Sequence, residues 1–316
     1  MSLESAAETI LKECLAVKSD EEVLLLNDGN DPEIINALKR EIQRKTNLNY
    51  VEYPEPEVQG EELPNRVEEK LLNADVFIAP TNKSISYTRA RSKATRKGVR
   101  GASMPKLNKE IMETSVQADY KGVSKITDKA YKHLKNTKKI RIKTPSGTEL
   151  RLNVESDKVG NLDGILHEEG DFGNIPSGEV FGPGINTEGK LVIDKLAMAP
   201  NSTGTELVIE DNRVVKIESE RPNKLVENLK DIKGAKNIAE FGLGTNPNAE
   251  IVGNNTNDEK VLGTVHIAFG DNKFFLPDGD ERIVESEIHW DAVCESPTVY
   301  FDDKQILDQG KPEFLK

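Results

Sequence analysis

The chain has 316 residues, of which 36% are hydrophobic, 31% charged and 5% aromatic, and its 43 Lys and Arg against 55 Asp and Glu give a formal net charge of −12. With a mean hydropathy of −0.57 and a pI near 5.1, it is not a protein that grips nucleic acid through a global basic field. No stretch approaches the roughly 20 apolar residues of a membrane span.

The N-terminus, MSLESAAETILKECLAVKSDEE, has no basic region leading into an apolar core. No secretory signal is expected, and a cytoplasmic location is. Cys14 and Cys294 are far apart and form neither a disulfide framework nor a CxxC site, so two buried thiols in a reducing compartment are expected. The length suggests two domains.

In chain order, Leu3, Ala6, Ile10, Leu11, Cys14 and Leu15 fall at helical spacing over 3–17. Val23 to Leu26 is a short apolar run ending at Asn27-Asp28-Gly29, which predicts a buried strand and a turn. Pro32 opens a helix with Ile34, Ile35, Leu38 and Ile42 on one face. A strand is expected over 49–53, a helix over 63–72 and a strand over 75–79. Helical stretches follow near 84–98, 107–118 and 124–135. Strands alternating with helices predict a parallel α/β layer.

The pattern changes near residue 137. Lys139 to Lys143 alternates strictly, Pro145 to Thr148 turns, and Glu149 to Val154 alternates again, which is a hairpin signal. Further strands are expected over 190–194, 206–209 and 213–217, and one short helix over 222–231. The expected fold is thus an α/β N-terminal domain, 1–136, followed by a strand-rich α+β domain, 137–316, that holds the metal. There is no internal repeat and no low-complexity run.

Histidine is scarce, with four in the chain. His133 lies in a Lys-rich helical run and reads as solvated. His167 starts no HExxH, because position 171 is Asp. The other two stand differently. His289 and Asp291 are two apart in Ile288-His289-Trp290-Asp291, so in a strand they share a face, about 7 Å apart, and can reach a common metal ion. His266 lies in the apolar, glycine-flanked run Gly263 to Gly270. Glu179 follows a turn in Asn174 to Phe181, and Glu240 sits in the apolar run Ile238 to Gly244. A carboxylate inside such a run is costly to bury unless it is paired or bound to a cation. A core histidine and strand-end surface glutamates are the plainer alternatives. No GxGxxG loop is complete, no G-x-S-x-G elbow appears, and no nucleophilic Ser or Cys adjoins a His.

The segments Asn174 to Phe181, Ala239 to Asn246, Gly263 to Asn272 and Ile288 to Asp291 occur in an order and at distances that resemble the aminopeptidase T and aminopeptidase S family of dinuclear metallo-aminopeptidases. Ser84 to Arg91 and Gly98 to Pro105 resemble that family's N-terminal half, and the likeness runs from about 20 to 310. It implies five ligands, Glu179, Glu240, His266, His289 and Asp291, holding two divalent ions, Zn, Co or Mn. Two such ions would clamp a hydroxide and polarise a peptide carbonyl. It further implies a cytoplasmic homodimer that releases N-terminal residues from short peptides, with no nucleic-acid or membrane partner. Glu259 is the candidate general acid/base. Lys273 stands where that family usually has a Tyr, seven residues after the strand histidine; it could supply positive charge to an oxyanion, and a solvated lysine is the plainer alternative.

Two rivals stand beside this hydrolase. Ring-opening dihydroxypyridine dioxygenases resemble the same family and would use a mononuclear non-haem iron held by two His and one carboxylate. That branch is expected to lack the PSGE glutamate and the strand histidine and to carry a His near position 240, so the presence of all five residues favours the aminopeptidase. The second rival is a non-catalytic metal-binding relative.

Overall fold

In the computed structural model, which describes residues 2–58, 60–277 and 279–316, apolar runs and turn chemistry place most elements where the sequence expects them. Leu24 and Leu26 lie in a buried parallel strand, Glu22–Asn27, and Asp31 caps the helix Pro32–Lys45 by accepting from the Glu33 amide. Strands Asn47–Glu52, Glu22–Asn27, Val76–Ala79, Arg100–Ser103 and Phe172–Asn174 form one parallel sheet in that order. The first helical stretch is Leu3–Thr9 followed by a π-helical turn, Ile10–Cys14. The stretch expected over 84–98 is helical only at Arg89–Arg96.

Two features of this layer escape local pattern. Arg100–Ser103 has no β-branched residue, and Gly101 is needed because a Cβ there would stand 2.4 Å from the Phe77 ring. Phe172–Asn174 comes from a segment the sequence assigns to the second domain. The chain accordingly divides into one compact unit of residues 1–124 and 162–177 and another of 125–161 and 178–316. This differs from a single cut near 136, because the helix Tyr120–Lys135 holds the division and the 162–177 segment returns to pair with Arg100–Ser103.

The second unit is antiparallel. The expected hairpin forms, with Lys143 opposite Glu149, inside an eight-stranded sheet that also holds Glu188–Val192, Glu206–Glu210 and Arg213–Glu218. Three C-terminal strands between Thr298 and Pro312 complete it. A five-stranded sheet carries, in spatial order, His289–Cys294, Val265–Gly270, Ile238–Gly244 and Glu179–Pro183. One apolar core spans both sheets: Ile140, Leu152, Leu191 and Phe301 meet Phe241, Leu243, Ile267 and Trp290. The two-domain α/β plus strand-rich α+β fold is therefore as expected. Cys14 and Cys294 are buried free thiols. Among the described residues no helix is long and apolar enough to cross a membrane.

Candidate metal centre

The pleat of the five-stranded sheet builds the site. Opposite residues of paired strands share a face, as do residues two apart in one strand. Gly244 lies opposite Glu179, Gly242 opposite His266, and Glu240 opposite Ala268. Ala268 in turn lies opposite Asp291, and Gly270 opposite His289. Glu179, Glu240, His266, His289 and Asp291 therefore share one face, while Phe241, Leu243, Ile267 and Trp290 project from the other into the core. The alternation that makes a strand half apolar thus supplies these five polar groups of the site.

Small residues between them make room. A Cβ on Gly242 would stand 2.1 Å from Nε2 of His266, so that ring lies across a strand only glycine permits.

The groups converge. His289 Nε2 is 3.1 Å from Glu240 Oε2 and 3.7 Å from Asp291 Oδ1. His266 Nε2 is 3.7 Å from Glu240 Oε1 and 3.6 Å from Glu179 Oε2. His289 Nδ1 lies 2.8 Å from the Asp271 carbonyl oxygen, to which it donates, so Nε2 is the atom turned to the cluster. The Asn255 amide donates to Asp291 Oδ2 at 2.6 Å and holds that carboxylate in place. Glu259 joins His266 and Asp291 with ligand atoms within 4.8 Å of one another.

Charge is strongly redistributed here. For Glu240, burial works against ionisation, but the two imidazoles pull its carboxyl down to about 2. Burial opposes the charged form of His266, yet Glu240, Asp291 and Glu179 push it up to about 9. Burial likewise opposes charge on His289, and Asp291, Glu240 and the Asp271 carbonyl raise it to about 10. Burial drives the Glu259 carboxyl well above its usual range, with Asp291 and Glu179 adding to it and Lys260 opposing.

Several buried atoms in this cluster make no hydrogen bond: Glu179 Oε2, Asp291 Oδ1 and both ring nitrogens of His266. Such atoms are expensive to leave unsatisfied. All belong to oxygen and imidazole donors of the kind that bind a divalent transition metal, so the donor set fits a metal ion.

Six of the seven candidate residues come together in this way. Lys273 does not join them: its side chain is 57% exposed and its ammonium pairs with Glu285 at 3.2 Å. Sequence reasoning missed four contributors, Lys260, Asn255, Phe275 and Phe181. Lys260, 1% exposed, bonds Glu179 at 2.6 Å and Glu259 at 2.5 Å. Asn255 holds Asp291. Phe275 stacks on His289, with ring centroids 5.8 Å apart, and meets Phe181 edge-on. Phe181, Phe274 and Phe275 line a cavity of about 510 Å³. The only sequence signal for Phe181 was its position two residues after Glu179; Lys260, beside an acidic pair, looks like any solvated lysine.

The family model for NicX, 2,5-dihydroxypyridine 5,6-dioxygenase, matches residues 3–313. Among solved structures, 2,5-dihydroxypyridine dioxygenase from Pseudomonas putida KT2440 is similar with a TM-score of 0.79 and 18% identity, covering 99% of this chain and 98% of that one. Wild-type AmpT from Thermus thermophilus is similar with a TM-score of 0.69 and 16% identity, covering 98% of each chain. No curated protein sequence matches significantly. At these identities the two structures speak for a shared fold alone. The family match overturns the hydrolase expectation, since it points to an oxidoreductase. The oxyanion role weighed for Lys273 falls with it, and the exposed side chain agrees with the solvated alternative. The two similar structures are one of each kind, so the fold does not separate hydrolase from dioxygenase. Matched over nearly its whole length, the chain belongs to the 2,5-dihydroxypyridine 5,6-dioxygenase family.

Proposed function

We propose that this protein is an iron-dependent dioxygenase that opens a hydroxylated, nitrogen-containing aromatic ring. The observation that carries this is the family match over residues 3–313. The donor set supports it. Glu240, His289 and Asp291, whose ligand atoms lie within 4.8 Å of one another, would hold the ion, and imidazole and carboxylate donors suit non-haem ferrous iron. Bound there, iron would supply the one-electron chemistry that lets dioxygen react with a closed-shell ring.

The chain's own residues do the rest. The Asp271 carbonyl and Asn255 orient His289 and Asp291. Phe181 and Phe275 offer an apolar wall beside His289 against which a planar ring can pack. Glu259, with its raised proton affinity, is suited to exchange a proton with a ring hydroxyl.

The test is direct. Protein loaded anaerobically with ferrous iron is mixed with 2,5-dihydroxypyridine in air-saturated buffer. Oxygen uptake and the ring's ultraviolet absorbance are followed together, with a chelated control. One dioxygen consumed per ring lost is expected. Unchanged oxygen and absorbance with fully iron-loaded protein would overturn the assignment.

A further inference from the structure

Lys260 is a fully buried cation on the edge of the candidate metal centre. Its ammonium lies 2.6 Å from Glu179 Oε1 and 2.5 Å from Glu259 Oε1, and the side chain is 1% exposed. A lysine is rarely buried to this degree unless it is paired. Here both partners are themselves carboxylates of the cluster. The overlapping donor groups, Glu179 with Glu240 and His266, Glu240 with His289 and Asp291, and Glu259 with His266 and Asp291, share members but do not share one centre. Taken without Lys260, they offer donors for more than one cation.

We propose that Lys260 acts as a built-in second cation: it occupies the Glu179–Glu259 side of the cluster and limits the centre to one metal ion. This rests on the metal-dependent reading above. Two observations carry it. The first is position, because the ammonium engages one oxygen of Glu179 while the other, Oε2, is left without a hydrogen bond and lies 3.6 Å from His266 Nε2. The second is charge. Glu179, Glu240 and Asp291 against one ammonium leave −2, or −3 with Glu259 also ionised, and one divalent ion brings this to 0 or −1. A second divalent ion beside Lys260 would leave the buried cluster positive and would stand next to an ammonium, which like-charge repulsion disfavours. Without the ammonium, four carboxylates balance two divalent ions. Lys260 is thus a positioning residue, acting on the metal through Glu179 and Glu259.

The test counts ions. The full-length wild-type protein, Lys260→Met and Lys260→Arg are each stripped, refilled with manganous ion, freed of excess by gel filtration and analysed for metal per chain. Paramagnetic resonance then distinguishes an isolated ion from a spin-coupled pair. One isolated ion is expected in the wild type and in Lys260→Arg, and two coupled ions in Lys260→Met. If Lys260→Met does not fold, Lys260→Gln, which keeps a donor but no charge, carries the same expectation. Two ions in the wild type, or one in the uncharged variants, would overturn the proposal. A wild type that holds none would instead overturn the metal-dependent reading on which it rests.

Discussion

Two buried ion pairs, one in each unit, look alike in composition and differ in what they leave undone. In the parallel unit, Arg100 meets Glu21 with both guanidinium amines, at 2.9 and 2.8 Å, and also donates to the carbonyls of Leu15 and Ala16. In the antiparallel unit, Lys260 meets Glu179 and Glu259, yet Glu179 Oε2, Asp291 Oδ1 and the ring nitrogens of His266 have no hydrogen bond. The first network is closed, and its planar fork matches a carboxylate. The second is open on one side, and the open atoms are all metal donors. A closed buried pair contributes to structure; an open one is shaped for a cation.

Breaking the open network has the largest expected effect. In His289→Ala, ring cleavage should fall by roughly 10⁴-fold, about 5.5 kcal/mol of transition-state stabilisation, and bound metal should be lost while circular dichroism stays native. Turnover at the wild-type level would remove His289 from the site.

Breaking the closed network should do the reverse. Arg100→Ala leaves a buried carboxylate unpaired and should cost about 3–5 kcal/mol in denaturant unfolding, with metal content unchanged. Burial opposes ionisation of Glu21, but Arg100 and the Lys18 amide hold its carboxyl below the usual range. The pair's contribution is therefore present above the ordinary carboxylate pKa and fades as pH falls through the lowered value. Arg100→Ala should lose this acid-side dependence; an identical acid transition would contradict the assignment.

Removing metal should lower stability by about 2.7 kcal/mol relative to protein held at a hundred times the dissociation constant. Without metal, the carboxylates keep His266 and His289 protonated up to about 9 and 10. That contribution is full below the free imidazole pKa and disappears as pH rises through those values. At neutral pH the ion must displace these protons, so its affinity should rise with pH. Titration calorimetry in buffers of different ionisation enthalpy reads the protons directly, and no release would refute the ligand roles.

The smallest effect should come from the apolar wall. Phe275→Ala removes the ring stacked on His289 and should raise KM about tenfold, near 1.4 kcal/mol, with kcat little changed. An unchanged KM would place the substrate elsewhere.

Much of this was legible from local pattern. Carboxylates at 179 and 240 inside apolar runs, and His289 two residues from Asp291, are legible because a strand's period of two is a local property. Lys260 was not legible, since nothing in Asp258-Glu259-Lys260 distinguishes a buried lysine from a solvated one. Phe275 lies in a short 3₁₀ turn, Lys273–Phe275, with no period to read. Lys273 looked the better candidate only because its position invited a role; its ammonium turned out to be paired in solvent reach.

By itself the sequence determined the element types, the α/β layer followed by a strand-rich half, and the donor residues on their strands. Periodicity, turns and the cost of a charge in an apolar run all act over a few residues. Only the tertiary structure decided that the 162–177 segment returns to the parallel sheet, that Gly242 clears the space for His266, and that Lys260 sits against Glu179. These follow from pairing and close packing between distant segments. There, strand register and the need to neutralise a buried carboxylate select partners that no local pattern names.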